Sequence, residues 1–225
     1  MKAAVILYGH MRTFEQCASA LFEHFINPLG SDVFIHTWDV CESQTPSWHN
    51  EHNTKEIHTD HSLVNKIYNP VNYIIETQPI YRSDEDSIGP NNISMFGSMR
   101  MFESLYKSNQ LKVAHELKNN FVYDIVLKIR PDIMLYSPLY ANKLIPHIQD
   151  GHFLYGSNNT RAIDIINICT SRTMDNVCEI YTATSMFSKV DFFRNYLKCI
   201  SVEMIDLNFN YGKHWTILRE SVGND

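Results

Sequence analysis

Arg130 and Asp132 stand two residues apart at the end of an aliphatic run, Tyr123-Asp-Ile-Val-Leu-Lys-Ile-Arg-Pro-Asp-Ile133. Ile125, Val126, Leu127 and Ile129 read as a buried strand. Pro131 has no N–H to donate and marks where ladder pairing stops. Alternate residues of a strand share a side, so the guanidinium and the carboxylate point the same way. In an open α/β sheet, ligands bind at the carboxyl ends of the strands. Arg130 there could neutralise a phosphate. Asp132 is a hard oxygen ligand that suits Mg2+ or Mn2+. The plainer alternative is a structural Arg–Asp ion pair.

Four other places carry chemistry. Tyr8-Gly9-His10-Met11-Arg12 follows an apolar run and precedes a helical pattern. Backbone N–H groups at such a helix start can seat a phosphate. Gly9 permits close backbone approach, and Arg12 can pair bidentately with a diphosphate. The loop is neither G-x-x-x-x-G-K-S/T nor G-x-G-x-x-G, so a plain turn with a surface arginine is the alternative. In His36-Thr-Trp-Asp39, Trp38 could stack on a base and Asp39 could accept a ribose hydroxyl; otherwise Trp38 fills core and Asp39 caps a helix. Asp164 could act as general base toward an acceptor hydroxyl, or cap a helix. His214 could complete a metal site with Asp132, or be an ordinary histidine. His49, His52, His58 and His61 match no strong zinc spacing and read as a solvated loop.

The elements that must position these groups follow from periodicity. Ala3–Leu7 reads as a first strand. Thr13 and Gln16 suit a capping box, and Phe14, Cys17, Leu21 and Phe25 repeat at helical spacing until Asn27-Pro-Leu-Gly30. Asp32–Asp39 reads as a second strand, which completes a strand–helix–strand unit of a parallel sheet. Residues 40–65 read as a polar excursion, part loop and part helix. Val71–Glu76 reads as a third strand, Tyr81–Asn92 as a polar loop, and Ile93–Phe121 as one or two helices. Met134 to Tyr136 extend the Arg-Pro-Asp strand past its proline. Leu139–Ile148 reads as a weak helix, Gly151–Gly156 as a strand, and Asp164–Cys169 as an apolar segment. Thr173–Ser185 and Val190–Met204 read as helices, and Lys213–Glu220 as a final strand. The fold class expected is α/β, a mostly parallel central sheet with helices on both faces, in a single domain over 1–225.

The chain has 225 residues, 44% hydrophobic and 20% charged, which suits a globular protein with a sizeable core. A net charge of −6 argues against a nucleic-acid binder, which would show a basic face. Five scattered cysteines with no C-x-x-C pair read as reduced thiols. No run approaches the ~20 apolar residues of a membrane span, and the apolar start is too short for a signal peptide. The expected seat is the cytoplasm, with room for service to a membrane-linked pathway.

Four blocks taken together resemble a family. Val5-Ile-Leu-Tyr-Gly-His-Met-Arg12, Asp32-Val-Phe-Ile-His-Thr-Trp-Asp39, Ser94-Met-Phe-Gly-Ser-Met-Arg-Met-Phe-Glu-Ser-Leu-Tyr-Lys107 and Tyr123-Asp-Ile-Val-Leu-Lys-Ile-Arg-Pro-Asp132 look like bacterial surface-polysaccharide glycosyltransferases of the GT-A fold. The blocks cover most of residues 3–136, and the part after Gly151 matches more loosely through Asp164 and the helix near Met174. The resemblance implies a nucleotide-binding α/β sandwich, with a donor-binding part at about 1–136 and an acceptor-side part at about 137–225. It implies a nucleotide-diphosphate sugar as donor, a hydroxyl of a glycan or lipid-linked glycan as acceptor, and work at the inner face of the cytoplasmic membrane. In that family an Asp-x-Asp binds a metal and the diphosphate. Here Arg130-Pro131-Asp132 stands in its place, and only Asp132 keeps the carboxylate. A divalent cation on Asp132, or Arg130 in place of the metal's charge, are both open, with Arg12 as a second diphosphate contact and Asp39 as nucleoside contact. A non-catalytic nucleotide-sugar or phosphate-binding module, and a nucleotidyl or phosphate-group transferase using the same pocket, are the alternatives.

Overall fold

The computed structural model describes residues 1–42, 57–79, 95–138, 144–156, 164–183 and 192–218. Its centre is a seven-stranded sheet. In chain order the strands are β1 (Ala3–Tyr8), β2 (Asp32–Trp38), β5 (Asn72–Glu76), β6 (Ile125–Ile129), β8 (His152–Tyr155), β9 (Ile166–Cys169) and β10 (Glu203–Asp206). Across the sheet they run β10-β8-β9-β6-β1-β2-β5. Every neighbouring pair is parallel except the two that involve β9. The small strands β3 (Val40–Glu42) and β4 (Ile57–His58) pair with each other, as do β7 (Ile133–Leu135) and β11 (Trp215–Ile217).

All residues of β1 and β6 are buried. Such unbroken burial explains why both read as continuous aliphatic runs rather than alternating ones. The two faces of β1 feed two cores. Ala3, Val5 and Leu7 pack with Phe14, Leu21, Val64 and Tyr68, which come from α1 (Phe14–Leu21) and α2 (His61–Tyr68). Ala4, Ile6 and Tyr8 pack with Phe102, Leu105, Met174, Val177 and Phe193. These come from α3 (Met95–Asn119), α4 (Ser171–Cys178) and α5 (Phe192–Cys199). Helices therefore cover both faces of a mostly parallel sheet, as expected.

Several local expectations are corrected. Thr13 makes no side-chain cap bond; its hydroxyl instead donates to the Leu218 carbonyl at 2.7 Å. After α1 the helix continues through a π-turn at Phe22–Ile26 and a last turn at Asn27–Leu29, then ends at Gly30, whose left-handed φ of 57° suits glycine. Pro28 falls in that last turn. The strand after Pro131 does not continue β6. Residues Ile133–Leu135 leave the sheet and pair antiparallel with Trp215–Ile217. Val190–Met204 is not one helix: α5 stops at Cys199, and Met204 lies in β10. In place of the helix expected at Leu139–Ile148 there is a 3-10 turn at Ile145–His147, with 139–143 outside the described residues. The final strand is only Trp215–Ile217, with 219–225 likewise outside. The Tyr81–Asn92 loop lies outside as well.

Register decides what shares an edge. Leu7 pairs with both Ile35 and Ile129, and Trp38 with Glu76. β1, β2, β5 and β6 thus end level with one another, so the Gly9–Arg12 loop, Asp39, Gln78 and Arg130–Asp132 all leave the sheet on its carboxyl edge.

Candidate functional site

Arg130 and Asp132 meet as the spacing suggests, and Arg12 joins them from β1. Arg130 Nε donates to Asp132 Oδ1 at 3.0 Å and its Nη2 to Oδ2 at 2.6 Å. Arg12 Nη1 donates to the same Oδ2 at 3.1 Å. The Asp132 side chain is fully buried, while Arg12 and Arg130 keep 15% and 16% of their side chains exposed. The carboxylate thus lies underneath, and the two guanidiniums reach the surface above it. Burial alone would push the Arg130 pKa down, but the adjoining carboxylate outweighs this and raises it, so Arg130 stays charged. One edge of its planar fork is spent on Asp132. Among the described residues no other acceptor meets Arg130, so three of its five N–H donors remain for a ligand.

The Gly9–Arg12 loop carries two left-handed residues, Gly9 at φ 88° and Arg12 at φ 46°. The second is unusual for a residue with a Cβ. A Cβ added at Gly9 would meet nothing within 4 Å, so the surface above it is open. Its N–H, however, points inward to Ser104 Oγ at 2.7 Å and is not offered to a phosphate. At the start of α1, Phe14 N–H and Gln16 N–H are taken by Met11 O and Thr13 O. Side chains, more than backbone amides, supply the positive groups here.

Asp39 is half-buried, and its Oδ1 accepts from the Gln78 N–H at 3.1 Å. Gln78 Oε1 in turn accepts from His10 Nε2 at 2.7 Å. Burial, aided by the nearby Arg12 charge, lowers the His10 pKa to about 3, so the ring is neutral. Trp38 is corrected: at 1% exposure it offers no face to a base. It packs edge-on against His36 and under the Lys107 ammonium.

Asp164 caps no helix. It lies just before β9, and its backbone carbonyl accepts from the Tyr8 hydroxyl at 2.7 Å and from the Lys128 ammonium. Lys128 is fully buried within β6 and also donates to Asn167 Oδ1 at 2.7 Å. Desolvation pulls its pKa down to about 8, even though Asp164 opposes the shift. Burial likewise holds Tyr8 protonated. The Asp164 segment is therefore tied to the strand ends that carry Arg12 and Arg130.

The expected metal ligands do not form a donor set. Both Asp132 oxygens face guanidiniums, a poor setting for a cation. His214 Nδ1 accepts from the Asn210 N–H at 2.8 Å, and its ring stacks on Phe209. Among the described residues no group of three His, Cys, Asp or Glu side chains is placed to hold a metal. His58 and His61 are exposed on β4 and at the start of α2, while His49 and His52 lie outside the described residues.

A recess of about 890 Å3 opens at the opposite, amino end of the sheet, beside Met1, Asp124 and Ile125. Glu116, Asp124, Asp150 and Asp175 line it against Arg172. That charge is wrong for a phosphate, and none of the candidate residues lines it.

Spacing missed Lys128, Tyr8, Ser104 and Gln78. Only Lys128 left a signal, as a cation inside an aliphatic run that a buried strand would not hold without partners.

No protein-family model matches this chain, and no curated protein matches it. Among solved structures it is similar to a protein from Desulfovibrio desulfuricans G20 described as a "putative nucleotide-diphospho-sugar transferase". The two share 11% identity, with a TM-score of 0.43, over 92% of this chain and 80% of the other. A likeness that slight carries no functional argument. The fold class rests on the sheet itself.

Proposed function

We propose that the protein is a glycosyltransferase that moves a sugar from a nucleoside diphosphate donor to a hydroxyl of a glycan or lipid-linked glycan. The observation that carries this reading is the convergence of Arg12 and Arg130, from two strand ends, above one buried carboxylate. Planar guanidiniums held in fixed orientation suit a diphosphate. As the bond from the anomeric carbon to the phosphate oxygen breaks, charge grows on that oxygen. The free N–H groups of Arg130, with Arg12, stabilise it without reorganising. Asp39 accepts a nucleoside hydroxyl, and the Asp164 carboxylate takes the proton of the attacking acceptor hydroxyl. A divalent cation would add charge neutralisation at the leaving group, but Asp132, with both oxygens bonded to guanidiniums, does not fit that role. In this reading Asp132 orients the arginines. The resemblance of the four sequence blocks to surface-polysaccharide enzymes supports the acceptor class and the place of work, at the inner face of the cytoplasmic membrane. Among the described residues no helix is long and apolar enough to cross a membrane.

Calorimetry with UDP-, GDP- and CMP-linked sugars, with and without Mn2+, followed by assay for transfer, tests the proposal. Diphosphate donors should bind more tightly than the monophosphate CMP donor, and Arg130→Lys should weaken them at least tenfold. Binding without turnover toward any acceptor would favour a non-catalytic module, and release of pyrophosphate would favour nucleotidyl transfer. Equal binding of all donors by wild type and Arg130→Lys would sink the clamp.

A further inference from the structure

We propose that Ser104, on α3, is the positioning residue of the Arg12 loop, an inference that takes the proposed diphosphate site as its setting. Ser104 is fully buried. Its hydroxyl has one proton and two lone pairs, and all three are used. The proton goes to His36 O at 2.9 Å. The lone pairs accept the Gly9 N–H at 2.7 Å and the proton on His36 Nδ1 at 2.8 Å. This accounting assigns the Nδ1–H tautomer to His36 and leaves Nε2 as a bare lone pair, 3.7 Å from Glu76 Oε2 and without a hydrogen-bond donor. One side chain thus joins the carboxyl ends of β1 and β2 to the helix that covers them.

The join falls where the loop needs it. Gly9 is the first residue past β1, and its φ of 88° turns the chain off the sheet once its N–H is held. Arg12 follows at φ 46°, a conformation that persists in a residue with a Cβ only if the surroundings impose it. Gly9 adopts left- and right-handed φ about equally readily, so the loop that sets Arg12 against Asp132 is free to take other paths. Fixing the first amide removes much of that freedom. Ser108 offers a matched comparison. It lies one turn further along α3, is equally buried, and its hydroxyl donates only to Leu105 O, at 2.9 Å.

The test compares wild type with Ser104→Ala, Ser104→Thr and Ser108→Ala. The first readout is amide hydrogen exchange and needs no ligand. Ser104→Ala should speed exchange at Gly9 at least tenfold more than at Ile6 or Val126, Ser104→Thr should restore protection, and Ser108→Ala should leave the loop unchanged. The second readout is calorimetry with UDP and GDP beside uridine and guanosine. Ser104→Ala should lose about tenfold or more in diphosphate affinity while nucleoside binding holds. Exchange at Gly9 that is unchanged in Ser104→Ala, or that rises equally in Ser108→Ala, overturns the proposal, as does full diphosphate affinity in Ser104→Ala. Absence of diphosphate binding by the wild type defeats the functional reading instead, and the exchange readout alone then decides the role of Ser104.

Discussion

Arg130 grips both oxygens of Asp132, at 3.0 and 2.6 Å, with the carboxylate sealed from solvent beneath. Asp132 is thus the keystone of a buried ion cluster as well as a candidate site residue. Removing one partner of a buried pair leaves the other charged and unpaired, at about 3–5 kcal/mol. Asp132→Ala should therefore lower stability by roughly 3 kcal/mol in urea unfolding. An unchanged midpoint would mean the cluster is not formed. Arg130→Lys, which keeps the charge but not the fork, is the cleaner probe of function.

Lys128 gives stability an unusual dependence on alkaline pH. Its folded pKa is about 8, against an ordinary 10.5. Between those values the unfolded lysine holds a proton that the folded one lacks, so unfolding takes up protons and stability rises with pH. The rise should be on the order of 2–3 kcal/mol. Buried thiols and phenols titrate in the same range with opposite sign, so the quantity to measure is wild type minus Lys128→Met. A flat difference between pH 8 and 10 would refute the assignment.

His36 acts at the acid end. Burial lowers its pKa from 6.5 to about 4, despite the opposing Glu76. As pH falls from 6.5 to 4, the unfolded imidazole protonates and the folded one does not, so stability is lost. His36→Asn keeps an N–H donor near Ser104 but does not titrate. Wild type should lose roughly 2–3 kcal/mol more than this variant across that interval in acid titrations. His10, lowered to about 3, adds a loss of the same sign in both proteins and cancels.

Gly9 and Gly30 form a natural pair for separating strain from function. Both are left-handed, and a Cβ on either meets nothing within 4 Å. Alanine at each should cost about 1 kcal/mol of backbone strain by thermal unfolding. Diphosphate affinity should fall only for Gly9→Ala, because only that Cβ enters the open surface beside Arg12. Equal effects of both variants on binding would argue that the loop plays no part.

The legible parts of this fold are those whose cause is local. β1, β6 and the start of α1 announce themselves through aliphatic runs, helical spacing and Gly30. Pro131 marks the end of pairing in the main sheet, but not that the next three residues would turn to Trp215, because the partner strand is remote in sequence. Trp38 reads equally well as ligand platform or core, and only packing decides for core. α3 is legible as a helix, yet its buried Ser104, Asn109 and Lys112 look like a solvated face until β2 and α4 supply their partners. Arg12 and Asp132 stand 120 residues apart, and no spacing rule joins them.

Leu218 bonds through its N–H to Asp132 O at 2.8 Å and through its carbonyl to the Thr13 hydroxyl, 205 residues earlier. For a chain made from one end, this sets a timetable. At about 5–20 residues per second, some 10–40 s pass between the emergence of Thr13 and of Leu218. Through that interval the Arg12 loop and the Arg-Pro-Asp turn lack their common fastening. A chain cut before Leu218 would keep every strand of the seven-stranded sheet and lack that fastening.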